Sequence, residues 1–375
     1  MTVDSVGGEA AARLRAAIEA ASVGLVGRRN LAELVVLAAV AREHFLIIGP
    51  PGTAKSAAIR RIARALGGQC FEYLLGRFTE PSELFGPIDL RALQEGRVVT
   101  ETAGMLPEAE LAFLDEIFLG STAILNTLLG LLNERRFRRG HTDLRCPLRV
   151  CVGASNDLPD DPGLSAFADR FLLRAFVDNL PDPELEALLA GGWSIEQQPV
   201  PVVATLADVD VLSAASRAMD LSAVRPALAD AVRALRGVGI ALSDRRAVKL
   251  QRLVAASAAL AGREAPTEAD LWPIVFAMPT RDEQQTARDR LRKMLETSDN
   301  RSLLTAAREA SEGRRARADA LISAADALLA APEDSEGWRL RLEGVAREID
   351  AGFHADTLPP DLKAVRAQLV SQLGG

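Results

Sequence analysis

The sequence is poor in cysteine, histidine and aromatic residues, and each scarcity argues against a class of protein. It contains 3 cysteines, 3 histidines and 4% aromatic residues among 375 residues. The cysteines form no C-x-x-C pair, so we expect buried free thiols in a reducing compartment. They are Cys70, Cys146 and Cys151. The histidines are isolated from one another, so neither a histidine metal site nor a Ser-His-Asp triad is indicated.

The sequence also lacks a long uninterrupted apolar run and an excess of positive charge. The apolar stretch 31–48 contains Glu33, Arg42, Glu43 and His44, and therefore cannot span a bilayer. The first ten residues are polar, so we expect no signal peptide and a soluble, cytoplasmic protein. The net charge of −7 argues against a protein that coats nucleic-acid duplexes.

A phosphate-binding turn is the most informative motif that is present. The apolar run 45–48 is followed by GPPGTAKS at residues 49–56. A strand that ends in a Gly/Pro-rich turn before a helix points backbone N–H groups at an anion. Lys55 adds a positive charge and the Ser56 hydroxyl can bind Mg²⁺; the alternative is a turn that binds nothing. The candidate nucleotide-binding residues of this turn are Pro51, Gly52, Thr53, Ala54, Lys55, Ser56 and Ala57.

One position of the turn departs from the general phosphate-loop pattern. Ala54 stands where a second glycine is expected. Because alanine would be strained at positive φ, we expect helical backbone angles at Ala54 and a helix from there to about Leu66. We also expect Asn30 to be the N-cap of an earlier helix that ends near Arg42.

Two acidic residues and an amide supply the other groups that triphosphate hydrolysis needs. Asp115 and Glu116 follow the apolar run 112–114. At the carboxyl end of a strand, Asp115 would hold Mg²⁺ through water and Glu116 would polarise the attacking water. Asn156 follows the run 150–155 and could hydrogen-bond both water and phosphate; the alternative is a turn-forming asparagine.

The hydrophobic pattern predicts an α/β fold. Apolar runs alternate with helical patterns up to about residue 205, which indicates a parallel sheet that is covered on both faces. Two segments, 93–102 and 136–148, are expected to form inserted hairpins. The remainder is helical. We therefore predict a core at 1–200 with two hairpin inserts, a helical lid at 201–280 and a C-terminal helical domain at 281–375.

Taken together, these motifs resemble the MoxR group of AAA+ ATPases, most closely its RavA-like branch. The resemblance covers roughly residues 20–265 and rests on five motifs in order: GPPGTAKS (49–56), LDEI (114–117), NERRF (133–137), ASN (154–156) and SDRR (243–246). It implies a five-stranded parallel sheet core followed by a helical lid, and hexameric rings with ATP and Mg²⁺ bound between subunits. The helical tail departs from this branch, whose members typically carry a small additional β-domain.

The resemblance also implies roles for individual residues. Asn156 matches sensor 1, and Arg245 matches the sensor 2 arginine, with Arg246 as the alternative. Arg170 matches the arginine finger given to a neighbouring site. Arg174 is the reserve candidate for that finger. Val26 and Gly27 match the segment that lines the adenine pocket.

The function implied by the resemblance is chaperone-like. ATP hydrolysis in a ring would remodel or mature a protein client, often together with a von Willebrand factor A-type partner. The alternative is an AAA+ motor that acts on nucleic acid or on the transcription machinery. A local arginine cluster at 135–145 favours that alternative, whereas the acidic charge and the scarcity of aromatic residues oppose it.

Overall fold

The computed structural model describes residues 3–180, 184–330, 336–352 and 358–373. The strands in this part of the chain are β1 (Phe45–Ile48), β2 (Cys70–Leu74), β3 (Leu111–Asp115), β4 (Arg136–Arg139), β5 (Thr142–Arg145), β6 (Val150–Ser155) and β7 (Leu173–Phe176). The helices up to β7 are α1 (Val3–Ser22), α2 (Arg29–Ala41), α3 (Lys55–Ala65), α4 (Pro81–Phe85), α5 (Leu90–Gln94), α6 (Thr122–Glu134) and α7 (Pro162–Ala168). The later helices are α8 (Leu185–Gln197), α9 (Leu206–Ala218), α10 (Arg225–Gly237), α11 (Asp244–Ala261), α12 (Pro273–Phe276), α13 (Arg281–Arg290), α14 (Arg292–Leu295), α15 (Leu304–Ala330), α16 (Glu336–Gly352) and α17 (Pro360–Leu373).

A five-stranded parallel sheet forms the centre of the fold, as the sequence predicted. Its strand order is β2-β3-β6-β1-β7, and every neighbouring pair is parallel. The three inner strands are almost fully buried, whereas the side chains of the edge strand β2 are exposed or half-buried. Cys70 lies on β2 and is exposed, so the prediction that all three thiols are buried is wrong at this edge position.

Helices cover both faces of the sheet. Because successive side chains of a strand point to opposite faces, Phe113 and Leu114 of β3 enter different hydrophobic clusters. Phe113 packs with α1–α3 and with helices α9–α13, whereas Leu114 packs with α4, α6 and α7. The helices after residue 205 therefore share one core with the first face of the sheet. The divisions at residues 200 and 280 stay predictions.

The two expected hairpins have different outcomes. β4 and β5 form an antiparallel ribbon, which confirms the second prediction. The first prediction is wrong, because residues 90–94 form the short helix α5, which is capped by the Asp89 side chain, and a single antiparallel bridge joins Ile88 to Thr100. The arginines of the ribbon are partly neutralised within it: Arg136 lies 2.6 Å from the carboxylate of Asp143.

The secondary structure of the C-terminal region is helical, as the sequence predicted, with connecting turns and no strand in its described residues. The long helix α15 joins two clusters: Ala306 and Ala310 pack into the main core, and Leu321 and Ala325 pack with α16 and α17 in a separate one. None of the helices in the described part of the chain is long and apolar enough to cross a membrane.

Candidate functional site

Three adjacent strands bring predicted site residues to one edge of the sheet. β1, β6 and β3 are neighbours, and their carboxyl ends carry Gly49, Asn156 and Asp115. The Gly49 N–H donates to the Ser155 carbonyl at 3.1 Å, which ties the start of the phosphate turn to the end of β6. A β-carbon at Gly49 would lie 2.2 Å from the Val177 carbonyl oxygen, so any larger residue would displace the turn.

The phosphate turn differs from the prediction at Ala54. Ala54 has φ 60° and ψ 22°, so it is left-handed, and the prediction of helical angles is wrong. It is the N-cap of α3, which begins only at Lys55. Gly52 also has positive φ, 82°. Left-handed residues within a turn aim successive N–H groups into one concavity, which is the geometry that binds anions.

Lys55 lies beneath this turn. Its side chain is 7% exposed, and its ammonium group donates to the carbonyl oxygens of Gly49 and Pro50, at 2.9 Å for Pro50. Burial lowers the pKa of Lys55, and the negative charges of Asp115 and Glu116 oppose that shift. The ammonium is therefore a buried cation that is held beneath the turn by two carbonyl acceptors, which a phosphate can replace.

Ser56 and Asp115 meet as the two predicted Mg²⁺ ligands should. The Ser56 hydroxyl donates to the Asp115 carboxylate, with 3.2 Å between Oγ and Oδ2. The described residues contain no group of three or more His, Cys, Asp or Glu side chains that could hold a metal by themselves. One hydroxyl and one carboxylate nevertheless fit Mg²⁺, because this ion keeps several waters and takes phosphate oxygens as further ligands.

Glu116 is held in a strained conformation beside these groups. Its φ is 50° and its ψ 44°, and its N–H donates to the Asp115 carboxylate at 3.1 Å. Burial raises the pKa of Glu116, and the charge of Asp115 raises it further. A carboxylate with a raised pKa is a stronger base, which suits the polarisation of water. Asn156, half-buried, follows the neighbouring strand β6 at the same edge.

The predicted base-binding segment lies against the same turn. Val26 and Gly27 belong to the turn before α2, and Gly27 has φ 61° with Leu180 packed over its α-carbon. The sequence did not identify Arg28, which is buried and donates to the Thr53 carbonyl of the phosphate turn at 2.8 Å. Arg28 is also the N-cap residue of α2, so the prediction of Asn30 at that position is wrong.

The candidate arginines do not lie beside the phosphate turn and the acidic pair. Arg170 and Arg245 lie at the opposite, amino edge of the sheet, since Arg170 precedes β7 and Arg245 borders a cavity that includes Glu43 and Arg149, just before β1 and β6. Arg245 is exposed and donates to the Asn133 side chain at 2.8 Å. Arg170 is half-buried, its Nε has no hydrogen-bond partner, and it forms no ion pair among the described residues.

The reserve arginines are committed to contacts within the subunit. Arg174 is 4% exposed and donates to the Pro279 carbonyl at 2.6 Å, and burial lowers its pKa to about 10. Arg246 is 3% exposed, is paired with Asp169 and donates to the Leu172 carbonyl at 3.0 Å. These contacts favour Arg170 over Arg174 and Arg245 over Arg246 as side chains that could reach a neighbour.

The cavity beside Arg245 is basic in an acidic protein. It has a volume of about 770 Å³, and its lining includes eight lysine and arginine residues against three acidic ones. Several of these cations are already paired, as Lys249 and Arg252 are with Glu43. The amino edge of the sheet thus offers positive charge, whereas the carboxyl edge holds the phosphate turn and the acidic pair.

The phosphate turn follows β1, and the acidic pair follows β3, which is separated from β1 by β6. Together with the helical C-terminal region, this arrangement defines an AAA+ type of P-loop protein. The profile of a family described as "MoxR domain in the MoxR-vWA-beta-propeller ternary systems" matches residues 12–214. This match covers more than half of the chain, which belongs to the MoxR group of AAA+ ATPases.

Individual relatives agree with this assignment. A Methanocaldococcus jannaschii protein without an assigned function is 37% identical over 246 residues, which are 65% of each chain, so the chain spans just under two thirds of that relative. Protein MoxR of Paracoccus denitrificans is 30% identical over 48% of this chain and 54% of its own. The chaperone MoxR1 of Mycobacterium tuberculosis is 27% identical over 43% of each chain.

A solved structure supports the fold independently. The structure of a protein from Cytophaga hutchinsonii that is assigned as an ATPase aligns with a TM-score of 0.63 at 15% identity. The alignment covers 79% of this chain and 97% of that one. At this identity the likeness concerns the fold, which is the predicted α/β core with helices after it.

Proposed function

We propose that this protein binds ATP with Mg²⁺ at the carboxyl edge of the sheet and hydrolyses it. The observation that carries the proposal is the hydrogen bond between Ser56 and Asp115 beside the buried Lys55. Mg²⁺ would be held by the Ser56 hydroxyl, by the Asp115 carboxylate through water and by phosphate oxygens, and would neutralise charge on the phosphates. Glu116 would accept a hydrogen bond from the attacking water and polarise it, and Asn156 would orient that water and the terminal phosphate.

The remaining positive charge for hydrolysis is proposed to come from a neighbouring subunit. The phosphate turn follows the carboxyl end of β1, whereas Arg170 lies before the amino end of β7. The two are therefore at opposite edges of the sheet, separated by at least the length of a strand, which for four residues is about 13 Å. A head-to-tail ring would place the amino edge of the sheet of one subunit against the phosphate turn of the next. Arg170 would then act as the arginine finger and Arg245 as sensor 2 on the neighbour's nucleotide. We propose a hexamer.

The biological role is proposed from the family. We propose a chaperone-like ATPase that remodels or matures a protein client together with a von Willebrand factor A-type partner. The family description names such a partner, and one relative is called a chaperone. The RavA-like branch and the division into a core at 1–200, a lid at 201–280 and a helical domain at 281–375 belong to the same proposal.

Steady-state ATP hydrolysis per subunit, measured over a wide range of protein concentration, tests the ring. The rate should rise with concentration and should fall by about a thousandfold in Arg170→Ala, with ATP binding retained. Arg233→Ala, which removes an exposed arginine of α10, is the matched control. Mixing Arg170→Ala with Lys55→Ala subunits should restore part of the rate. A rate that is independent of concentration and of Arg170 would refute the shared site.

The chemistry within the subunit has a separate test. Lys55→Ala should abolish ATP binding, whereas Glu116→Gln should bind ATP and hydrolyse it at least about a hundredfold more slowly. Normal turnover in Glu116→Gln would assign water activation to another residue. Unchanged ATP affinity in Lys55→Ala would refute the nucleotide site itself.

A further inference from the structure

Arg28 is a buried arginine whose guanidinium group joins three separate segments of backbone. Its side chain is 7% exposed, and it donates to the carbonyl oxygens of Gly27 at 2.9 Å, Thr53 at 2.8 Å and Asp178 at 2.6 Å. These carbonyls belong to the turn before α2, to the phosphate turn and to the segment after β7. Burial lowers the pKa of Arg28. A buried cation without bidentate carboxylate pairing is costly, so its position calls for an explanation beyond packing.

The hydrogen bond from Arg28 to the Thr53 carbonyl fixes the peptide group that precedes Ala54, whose backbone is strained. In a planar trans peptide the carbonyl of Thr53 and the N–H of Ala54 point in opposite directions. Arg28 holds that carbonyl toward the protein interior, so the Ala54 N–H is turned the other way. Rotation of this peptide would change φ of Ala54, which is 60°, a value that alanine adopts only against a steric penalty. Arg28 therefore opposes the relaxation that the strain at Ala54 would otherwise favour.

The positive charge of Arg28 also acts on the phosphate turn. It lowers the pKa of Lys55, as a positive charge near the ammonium group must. A second buried cation next to the phosphate turn raises the positive potential there while being only slightly exposed to solvent. Both effects, the fixed peptide and the added potential, are the ones that an anion-binding turn needs.

We infer that Arg28 is a positioning residue of the phosphate turn, which keeps the Thr53–Ala54 peptide in the orientation that binds the phosphates of a nucleotide. The inference rests on the proposed nucleotide site. It predicts a specific energetic link between Arg28 and Ala54, because glycine at position 54 adopts positive φ without strain and needs no such restraint.

A double-mutant cycle on nucleotide affinity tests this link. We would measure binding of a fluorescent ADP analogue to the full chain for Arg28→Met, Ala54→Gly and the double variant. Arg28→Met should weaken binding by about tenfold, since it removes a charge-assisted hydrogen bond to the turn. Its effect in the Ala54→Gly background should be at least about threefold smaller. Arg28→Lys, which keeps the charge but can make fewer of the bonds, should lie between Arg28→Met and the parent.

Arg61→Met is the matched control. Arg61 is likewise buried and donates to backbone carbonyls, Ala21 at 2.8 Å and Val23 at 2.9 Å, but it does not touch the phosphate turn. Arg61→Met should lower the melting temperature, whereas its nucleotide affinity should stay within about threefold of the parent. Equal losses of affinity in Arg28→Met with either residue at position 54, or parental affinity in Arg28→Met, would overturn the inference. Absence of binding in the parent chain would instead refute the proposed nucleotide site.

Discussion

The structure predicts that Glu33 anchors the C-terminal helices to the core. Its carboxylate is fully buried on α2 and accepts hydrogen bonds from the N–H groups of Ala306 at 2.7 Å and Thr305 at 3.3 Å. These belong to the first turn of α15, whose N–H groups have no partner within the helix. Arg29, four residues earlier, donates to the same carboxylate at 2.9 Å. Glu33 therefore caps a helix that is 272 residues away in sequence.

The size of the effect follows from these contacts. Glu33→Ala leaves two helix-terminal N–H groups without their acceptor. It also removes one of the two carboxylates that pair with the half-exposed Arg29, whose other partner is Glu19 at 3.8 Å. Each lost bond from a buried donor costs about 1–3 kcal/mol, and the loss of an anion at a helix N-terminus adds a few tenths. The carboxylate is itself disfavoured by burial, which raises the pKa of Glu33 and offsets part of this loss. We expect a net destabilisation of about 3 kcal/mol at this junction, and about 1 kcal/mol for Glu33→Gln, which retains one acceptor oxygen.

Hydrogen exchange is the assay that reports on this junction directly. If local opening controls exchange, a loss of about 3 kcal/mol accelerates exchange of residues 304–307 by about a hundredfold. The matched control is Glu9→Ala, since Glu9 is paired with Arg13 at the same spacing but on an exposed face of α1. Exchange at 304–307 that is unchanged in Glu33→Ala, with a parental melting temperature, would refute the capping role.

Two further predictions concern strain and pH. Ala54→Val should lose about 2 kcal/mol in urea unfolding, because a β-branched residue tolerates positive φ poorly, whereas Ala54→Gly should change stability by less than about 1 kcal/mol; equal effects would contradict the left-handed assignment. His44 is buried, accepts from the Cys151 N–H at 3.0 Å, and has a pKa well below its usual range because of burial and the charges of Arg135 and Lys249. Below about pH 6.5 the unfolded chain therefore takes up a proton that the folded chain does not, and stability should fall by up to about 1.4 kcal/mol per pH unit. In thermal melts, the melting temperature of His44→Gln should fall less steeply as the pH is lowered. A fall as steep as that of the parent would contradict this reasoning. His141→Gln, at an exposed site, is the control.

The sequence predicted what depends on local pattern. Four of the five strands of the sheet follow from apolar runs, since a strand that is covered on both faces shows continuous hydrophobicity, whereas the edge strand β2 is exposed or half-buried. The ribbon at Arg136–Arg145 follows from its glycine turn. The first insert was misassigned because Asp89 provides an N-cap four residues ahead of the expected start of the hairpin, and this local signal favours a helical turn.

The rest of the site depends on contacts between distant segments, which no local pattern encodes. Ala54 was expected to be helical because alanine disfavours positive φ, but the neighbouring strands and Arg28 impose that conformation on it. The role of Arg28 itself leaves no periodicity or motif in the sequence. A charged residue directly after the Val26-Gly27 turn is the one sequence signal that could have identified Arg28. The docking of α15 on α2 through Glu33 is equally non-local.

The contacts of the helical region connect the two edges of the sheet. At the carboxyl edge, the Asp178 carbonyl accepts from Arg28 while its carboxylate is bound by Arg281 of α13 at 2.6 and 2.8 Å. At the amino edge, Arg246 of α11 is paired with Asp169, next to the proposed finger Arg170. α11, α12 and α13 pack in one hydrophobic cluster, so a displacement at either end is resisted by the same packed helices. The phosphate turn and the segment that carries Arg170 are therefore each joined by polar contacts to the same packed helices.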